Sequence, residues 1–324
     1  MSGYPCFSLW AAPRVIDETG AYAVVYKPPL MFCAPLSDNP TGTLLGWFAG
    51  HCPAVLEASR SREGGLLHRL DFETEGLVLF AKTREAFVSL RDQQAAGSFV
   101  KEYSAVTCAV RPAPAGFFSS GPGGPSGFPP LPPPFDRMGL SSLSLPLSVE
   151  SFFRAWGPGR KAVRPVVREP VRPTTRPLIP GKRRRIAHDK GGPYRTELLA
   201  AGEPGCSTPG ETGSPRILTL RIHRGFRHQI RCHLAWIGEP ILNDFLYGGY
   251  PAGYLAPWQG GAAGPDTNMT YPIALRACAF RFFNPSTGKQ QDYRLPGFGE
   301  LPGLTELSGF AQTPGSGEAS GFTG

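Results

Sequence analysis

An α+β fold, with a mixed or largely antiparallel sheet and flanking helices, is what this 324-residue sequence predicts. Three observations predict it. Gly76-Leu77-Val78-Leu79-Phe80-Ala81 is a continuous apolar run of the length expected for a strand buried on both faces. Phe99 to Val110 and Ile217 to His223 alternate apolar and polar residues, as half-buried strands do. Helical patterns are interleaved with these strands, but not in the strict strand–helix repeat that builds an all-parallel sheet.

Each element has a local reason. Tyr22-Ala23-Val24-Val25-Tyr26 is a short β-prone run that ends at Lys27-Pro28-Pro29. Thr83 is placed to cap a helix running to about Ala96, and Gly97 to stop it. Leu218, Leu220 and Ile222 share one face of their strand. Phe226 to Ile237 reads as a helix with Ile230, Leu234 and Ile237 on its apolar stripe and Gly238 just past its end.

Composition divides the chain further. Apolar residues make up 41% and charged residues 18%, enough apolar sequence for a sizeable core. Residues 14–296 are expected to form one domain, interrupted at about 111–190. Within that interruption Pro112 to Pro134 holds 9 Pro and 5 Gly, which sustain neither helix nor sheet. Arg160 to Arg185 then carries ten Lys or Arg against one acid, Glu169. That block reads equally as an electrostatic arm for phosphate or as a solvated linker. Residues 297–324 are expected to be a flexible tail. No separate N-terminal RNA-binding module is expected before residue 20.

The 33 Lys and Arg exceed 25 Asp and Glu, and the net charge of +8 favours polyanions. No apolar run approaches the roughly 20 residues needed to span a bilayer. The N-terminus lacks the basic and apolar regions of a secretory signal. Seven cysteines with no C-x-x-C pair fit a reducing cytoplasm rather than a zinc site. His223, His228 and His233 recur every five residues, a step of about 500° on a helix, so they do not stack as zinc ligands usually do. No metal is expected.

Gly65-Leu66-Leu67-His68-Arg69-Leu70-Asp71 leads straight into the buried strand, so Asp71 lies at the mouth of a sheet where a carboxylate can face a cleft. Taken alone, Asp71 reads as a turn former or a partner of Arg69. The whole string says more. His68-Arg69-Leu70-Asp71, Thr74, Gly76-Leu77-Val78-Leu79 and Ala81-Lys82 resemble the H-R-L-D-x-x-T-S-G-L-L-L-x-A-K signature of the RluA-like pseudouridine synthases. Arg227-His228-Gln229-Ile230-Arg231-Cys232-His233-Leu234-Ala235, followed by Ile237-Gly238, Pro240-Ile241, Asp244 and Leu246-Tyr247-Gly248, resembles a second block of that family. Lys101-Glu102-Tyr103-Ser104-Ala105 is similar to its K-x-Y-x-A block, and Val24-Val25-Tyr26-Lys27-Pro28 to its early V-V-N-K-P. The four blocks occur in family order.

The resemblance implies a catalytic domain with a central RNA-binding cleft, acting on uridine in ribosomal or transfer RNA as a monomer without a cofactor. Asp71 would be the essential carboxylate, as nucleophile or as stabiliser of the developing sugar cation. Arg231 would keep it ionised, and Tyr103 would stack on the flipped base and be a candidate to take the proton from carbon 5. Arg69 would fill the gap left by the base. His68, Arg227, His228 and Gln229 are further candidates for RNA contact. The same residues have plainer readings: Tyr103 as core, Arg227 and Arg231 as a basic helix face, His68 as structural.

Three departures stand out. Glu75 replaces the family's Ser after Thr74; a charge there would disturb Asp71, so its side chain is expected to point away. Gly225-Phe226-Arg227-His228 replaces G-R-T-H, and Asn243 stands where Gly is common. Two rival functions remain: a degenerate synthase that only binds RNA, and a hydrolase using Asp71 with a histidine. No nucleophile motif such as G-x-S-x-G supports the hydrolase.

Overall fold

A computed structural model describes residues 8–35, 41–108, 140, 143–167, 192–202, 215–248 and 271–300. The Pro/Gly-rich stretch, most of the basic block and the chain beyond residue 300 lie outside the described residues.

Ten strands form one sheet: β1 (Arg14–Glu18), β2 (Tyr22–Lys27), β3 (Glu75–Ala81), β4 (Val100–Cys108), β5 (Leu147–Trp156), β6 (Ala162–Val166), β7 (Tyr194–Gly202), β8 (Pro215–Ile222), β9 (Leu275–Phe283) and β10 (Gln290–Arg294). The order is β1-β2-β3-β9-β4-β8-β7-β5-β6, with β10 also on β9. Only β3 and β9 pair in parallel, through Glu75↔Arg276 and Gly76↔Ala277; the other pairings are antiparallel. The sheet is mixed and largely antiparallel.

Gly76 explains why the parallel junction can form. Its φ is 127°, and a Cβ there would lie 2.3 Å from the Ala277 carbonyl oxygen, so only glycine fits. The segment carrying Asp71 feeds into β3 at this point.

Three helices flank the sheet: α1 (Leu44–His51), α2 (Arg84–Ala96) and α3 (Gln229–Trp236). α2 has the expected ends. The Thr83 side chain accepts from the Ala86 N–H, and Gly97 closes the helix in the left-handed conformation at φ 76°. Both faces of the β2–β3 pair are covered. Ala23, Val25, Val78 and Phe80 join Leu44, Leu45 and Phe48 of α1 and Ile230 and Leu234 of α3 in one cluster. Tyr22, Val24, Leu77 and Leu79 join Ala86 and Leu90 of α2 in another. Each large side chain buried this way contributes about 1.5–3 kcal/mol. Among the described residues, no helix is long and apolar enough to cross a membrane.

Two differences from the sequence reading concern its boundaries. β5 and β6 fall inside the stretch expected to be an insertion, yet β5 pairs along β7 from Leu147↔Leu198 to Ser151↔Tyr194 and extends the sheet. Alternation along β5 is masked by its polar edge positions, so composition hides it. Residues 298–300, expected to belong to a flexible tail, are packed instead: Phe298 is buried under the Arg276 guanidinium at 4.3 Å, and its N–H bonds the Ser104 hydroxyl.

Candidate active site

Asp71 sits in a turn that other groups hold in place. The Thr74 N–H closes the turn on the Asp71 carbonyl at 3.1 Å. Lys27, fully buried at the end of β2, donates to the carbonyls of Pro28, Met31 and Phe72 at 2.9, 2.8 and 3.3 Å. Burial pushes the Lys27 ammonium down to about 8, opposed by Cys33, Asp71, Glu73 and Glu75. Cys33 joins the same stitching, its thiol bonding the Leu70 carbonyl and accepting from the Leu70 N–H.

Arg231 approaches from α3 and is 2% exposed. One terminal nitrogen donates to Asp71 Oδ2 at 3.1 Å and lies 3.4 Å from Glu73. Its Nε and other terminal nitrogen take both oxygens of the fully buried Asp244, at 2.7 and 2.9 Å. The Tyr247 ring lies below, 5.6 Å from the guanidinium carbon. A planar fork with donors on two edges can serve two carboxylates at once, which a lysine could not. Burial alone would raise the Asp71 carboxyl, but Arg231, His228 and Lys27 outweigh it and hold it below the ordinary 3.8. Asp71 is therefore ionised at neutral pH.

His228 faces the other oxygen. It caps α3 in a left-handed conformation, φ 56°, which aims its Nε2 at Asp71 Oδ1 from 3.9 Å. Its Nδ1 lies 3.2 Å from the Tyr247 hydroxyl, which accepts the Val163 N–H at 2.8 Å. The phenolic proton then has Nδ1 as its acceptor among the described residues, which puts the imidazole proton on Nε2, facing the carboxylate. Burial pushes His228 down to about 4, so it is neutral at pH 7. Asp71 Oδ2 is thus engaged by Arg231, while Oδ1 is the freer oxygen.

Tyr103 lies on β4, 6% exposed, among Leu220, Ile222 and Ala277. Burial, and then the Asp71 charge, push its hydroxyl above the usual range, so it stays protonated. Asp71, Arg231 and His228 thus meet at one place, and Tyr103 lies within reach of the Asp71 charge.

The other candidates are dispersed. Arg69 is exposed and paired with Glu63 at 2.8 Å. Arg227 is exposed and donates to the carbonyls of Arg160 and Ala162, docking α3 on the start of β6. Two expected RNA contacts need correction. The His68 ring is wedged against Phe99 and Phe280, with Nε2 accepting from the Leu79 N–H; burial pushes it down to about 3. Gln229 spends its amide internally, accepting from the Phe226 N–H and donating to the Arg195 carbonyl and the Thr196 hydroxyl. The Gln229 amide is thus spent, while His68 Nδ1 is enclosed and has no partner among the described residues. The three periodic histidines also diverge: His223 bonds the Gly97 carbonyl, and His233 is buried between Ser151 and Thr196.

Glu75 points away from the cleft, as expected. It lies buried against Arg276, at 2.7 Å, and accepts from the Tyr26 hydroxyl. Asp244, Tyr247 and Lys27 carried no role in the sequence reading, although all three lie in motif blocks. Their roles depend on partners far along the chain.

Comparison with known proteins gives the chain's family and fold. The chain is 24% identical to ribosomal large subunit pseudouridine synthase D of Vibrio vulnificus over 295 residues, 90% of this chain and 69% of that protein. It is likewise 24% identical to the synthase of that name from Pasteurella multocida, over 87% of this chain and 67% of the relative. Among solved structures, human RNA pseudouridylate synthase domain containing 1 shares the fold, with a TM-score of 0.52 at 14% identity, covering 91% of this chain and 86% of that one. The family model described as RNA pseudouridylate synthase matches residues 21–236, and the chain belongs to that family.

Proposed function

We propose that this enzyme isomerises uridine in ribosomal RNA, with Asp71 as its catalytic carboxylate. The observation that carries the proposal is the buried Arg231 guanidinium, 3.1 Å from Oδ2 of the partly exposed Asp71, which keeps the carboxylate ionised. In the family's reaction the bond from C1′ to N1 breaks, the base turns and C1′ joins C5. C5 gives up a proton and N1 gains one, so the change needs no redox partner. Asp71 Oδ1 would attack C1′ or stabilise the positive sugar. Tyr103 would hold the unstacked base by its ring and is a candidate to accept the C5 proton; its hydroxyl could do so only by passing its own proton on. His228 would position Oδ1.

Ribosomal RNA is favoured over transfer RNA because the relatives reported above are named for the large ribosomal subunit. The reading extends to a cytoplasmic monomer; free Cys33, Cys52, Cys232 and Cys278 support a reducing compartment. Arg69 and Arg227, both exposed, would meet RNA phosphate.

The test is tritium release from RNA labelled at carbon 5 of uridine, with ribosomal and transfer fractions assayed separately. Wild-type protein should release tritium from the ribosomal fraction and Asp71→Asn should not. Equal release by both proteins would remove Asp71 from its role. Release only from the transfer fraction would overturn the substrate.

A further inference from the structure

Lys101 is the second residue of β4, and its environment is unusual for an ammonium. It is 7% exposed, and no carboxylate or hydrogen-bond acceptor meets its Nζ among the described residues. Glu102, next in the chain, is on the opposite face and is held by Arg221 at 2.6 Å. The nearest aromatic ring, Phe99, is centred 5.9 Å from Nζ, at the outer limit of a useful cation–π contact. Arg91 repels it, and burial pushes it down to about 8. Lys27 is also buried, but its three carbonyl acceptors satisfy it. The Lys101 stem is buried, but its Nζ is not among the enclosed polar atoms left without a bond, so the ammonium head reaches solvent with no acidic partner among the described residues.

Two further observations say what could compensate it. Gly225, in the loop between β8 and α3, is exposed, and a Cβ there would sit 3.3 Å from Lys101 Nζ. Glycine at this position keeps the exposed loop backbone close beside the ammonium, where a Cβ would crowd it. Lys101 and Tyr103 also share one face of β4: their partners on β8 are Ile222 and Leu220, both in the cluster that holds Tyr103. Residues two apart on a strand are separated by about 7 Å, roughly the reach of one nucleotide.

We propose that Lys101 and the Gly225 backbone form a phosphate subsite for the RNA backbone next to the flipped uridine. The proposal rests on RNA being the substrate. In the free protein the ammonium has solvent but no acid to meet, and a phosphodiester of the RNA would pair with it. Because packing already holds its stem, the ammonium has less freedom to lose on binding than a mobile surface lysine has. It positions the strand without reading sequence.

The test compares wild-type protein with Lys101→Met, binding an oligouridylate across a salt series. The variant should bind more weakly, and its slope of log affinity against log salt should be shallower by about 0.7, one phosphate on a single strand. Its melting temperature without RNA should be unchanged or higher, since a charge without an acidic partner has been removed. Equal slopes would overturn the subsite, whereas no binding by wild-type protein would overturn the RNA reading itself. Should the variant fail to fold, NMR titration of the wild-type Lys101 ammonium decides. Bound oligouridylate should move it upward, and an unchanged titration would overturn the proposal. Inorganic phosphate at the same ionic strength should move it less; an equal effect would make this a general anion site and overturn the RNA assignment.

Discussion

Asp244 grips the Arg231 guanidinium with both carboxylate oxygens, at 2.7 and 2.9 Å, so that the remaining terminal nitrogen is presented to Asp71. The orientation of the Asp71–Arg231 pair, proposed above as catalytic, is thus set by a residue behind it. Asp244→Asn keeps the shape but loses the charge and one acceptor. We expect kcat to fall about 100-fold, as misplacements of about 1 Å commonly produce, with little change in KM. Stability should fall by about 3–5 kcal/mol, the usual cost of leaving a buried charge short of its partner. Wild-type kcat in the variant, measured by tritium release, would show that Arg231 needs no such support.

The acid limb of the rate should identify what keeps Asp71 ionised. With its carboxyl held below 3.8, activity should stay level as pH falls from neutral and decline only at the acid extreme. Arg231→Gln removes the largest opposing influence and leaves burial to act, so the limb should move upward toward neutrality. A pH–rate profile of kcat/KM for both proteins checks this. An unmoved limb would assign the ionisation to Lys27 or His228 instead.

Three buried histidines predict a separate acid effect, on stability. His68 and His233 are pushed to about 3 and His228 to about 4, from an ordinary 6.5, with burial the largest cause in each. The unfolded chain therefore binds up to three more protons than the folded one between about pH 6 and 4. Stability should be fully present above 6.5 and fall as pH drops, by about 1.4 kcal/mol per pH unit for each histidine. Urea denaturation from pH 7 to 4.5 measures it, and His68→Phe should flatten the slope by one proton. An unchanged slope in that variant would mean that His68 is not held neutral.

Local chemistry was legible in the sequence, and long-range pairing was not. The limits of α2 follow from Thr83 and Gly97 because capping acts within a few residues. The start of α3 was read three residues early. Phe226 to His228 continues the helical pattern in sequence, but the left-handed His228 and the Gln229 bond back to Phe226 end the loop there. Asp71, Tyr103 and Arg231 could be proposed from the sequence because their motif strings are specific. Asp244 lay in a quoted block, yet its role depends on facing Arg231 across a turn. β5 could not be read, because its partner β7 lies beyond the basic stretch and its exposed edge blurs the alternation.

Glu75 and Arg276 carry that contrast furthest, being 201 residues apart and both almost fully buried. In sequence, Glu75 is a departure from the family pattern beside the catalytic loop. In the fold it is the acid partner of Arg276 at the parallel β3–β9 junction, further bonded by the Tyr26 hydroxyl and the Leu9 N–H. Removing either partner strands a charge, so Glu75→Leu and Arg276→Met should each cost about 3–5 kcal/mol. The double variant replaces the pair with apolar groups and should cost clearly less than the sum, because neither charge is left alone. Its tritium release should stay near wild type wherever it is folded, since neither residue faces Asp71. Urea denaturation of the four proteins closes the cycle. Strictly additive losses would show that the pair is not coupled, and the Glu75 departure would then need an explanation in the active site.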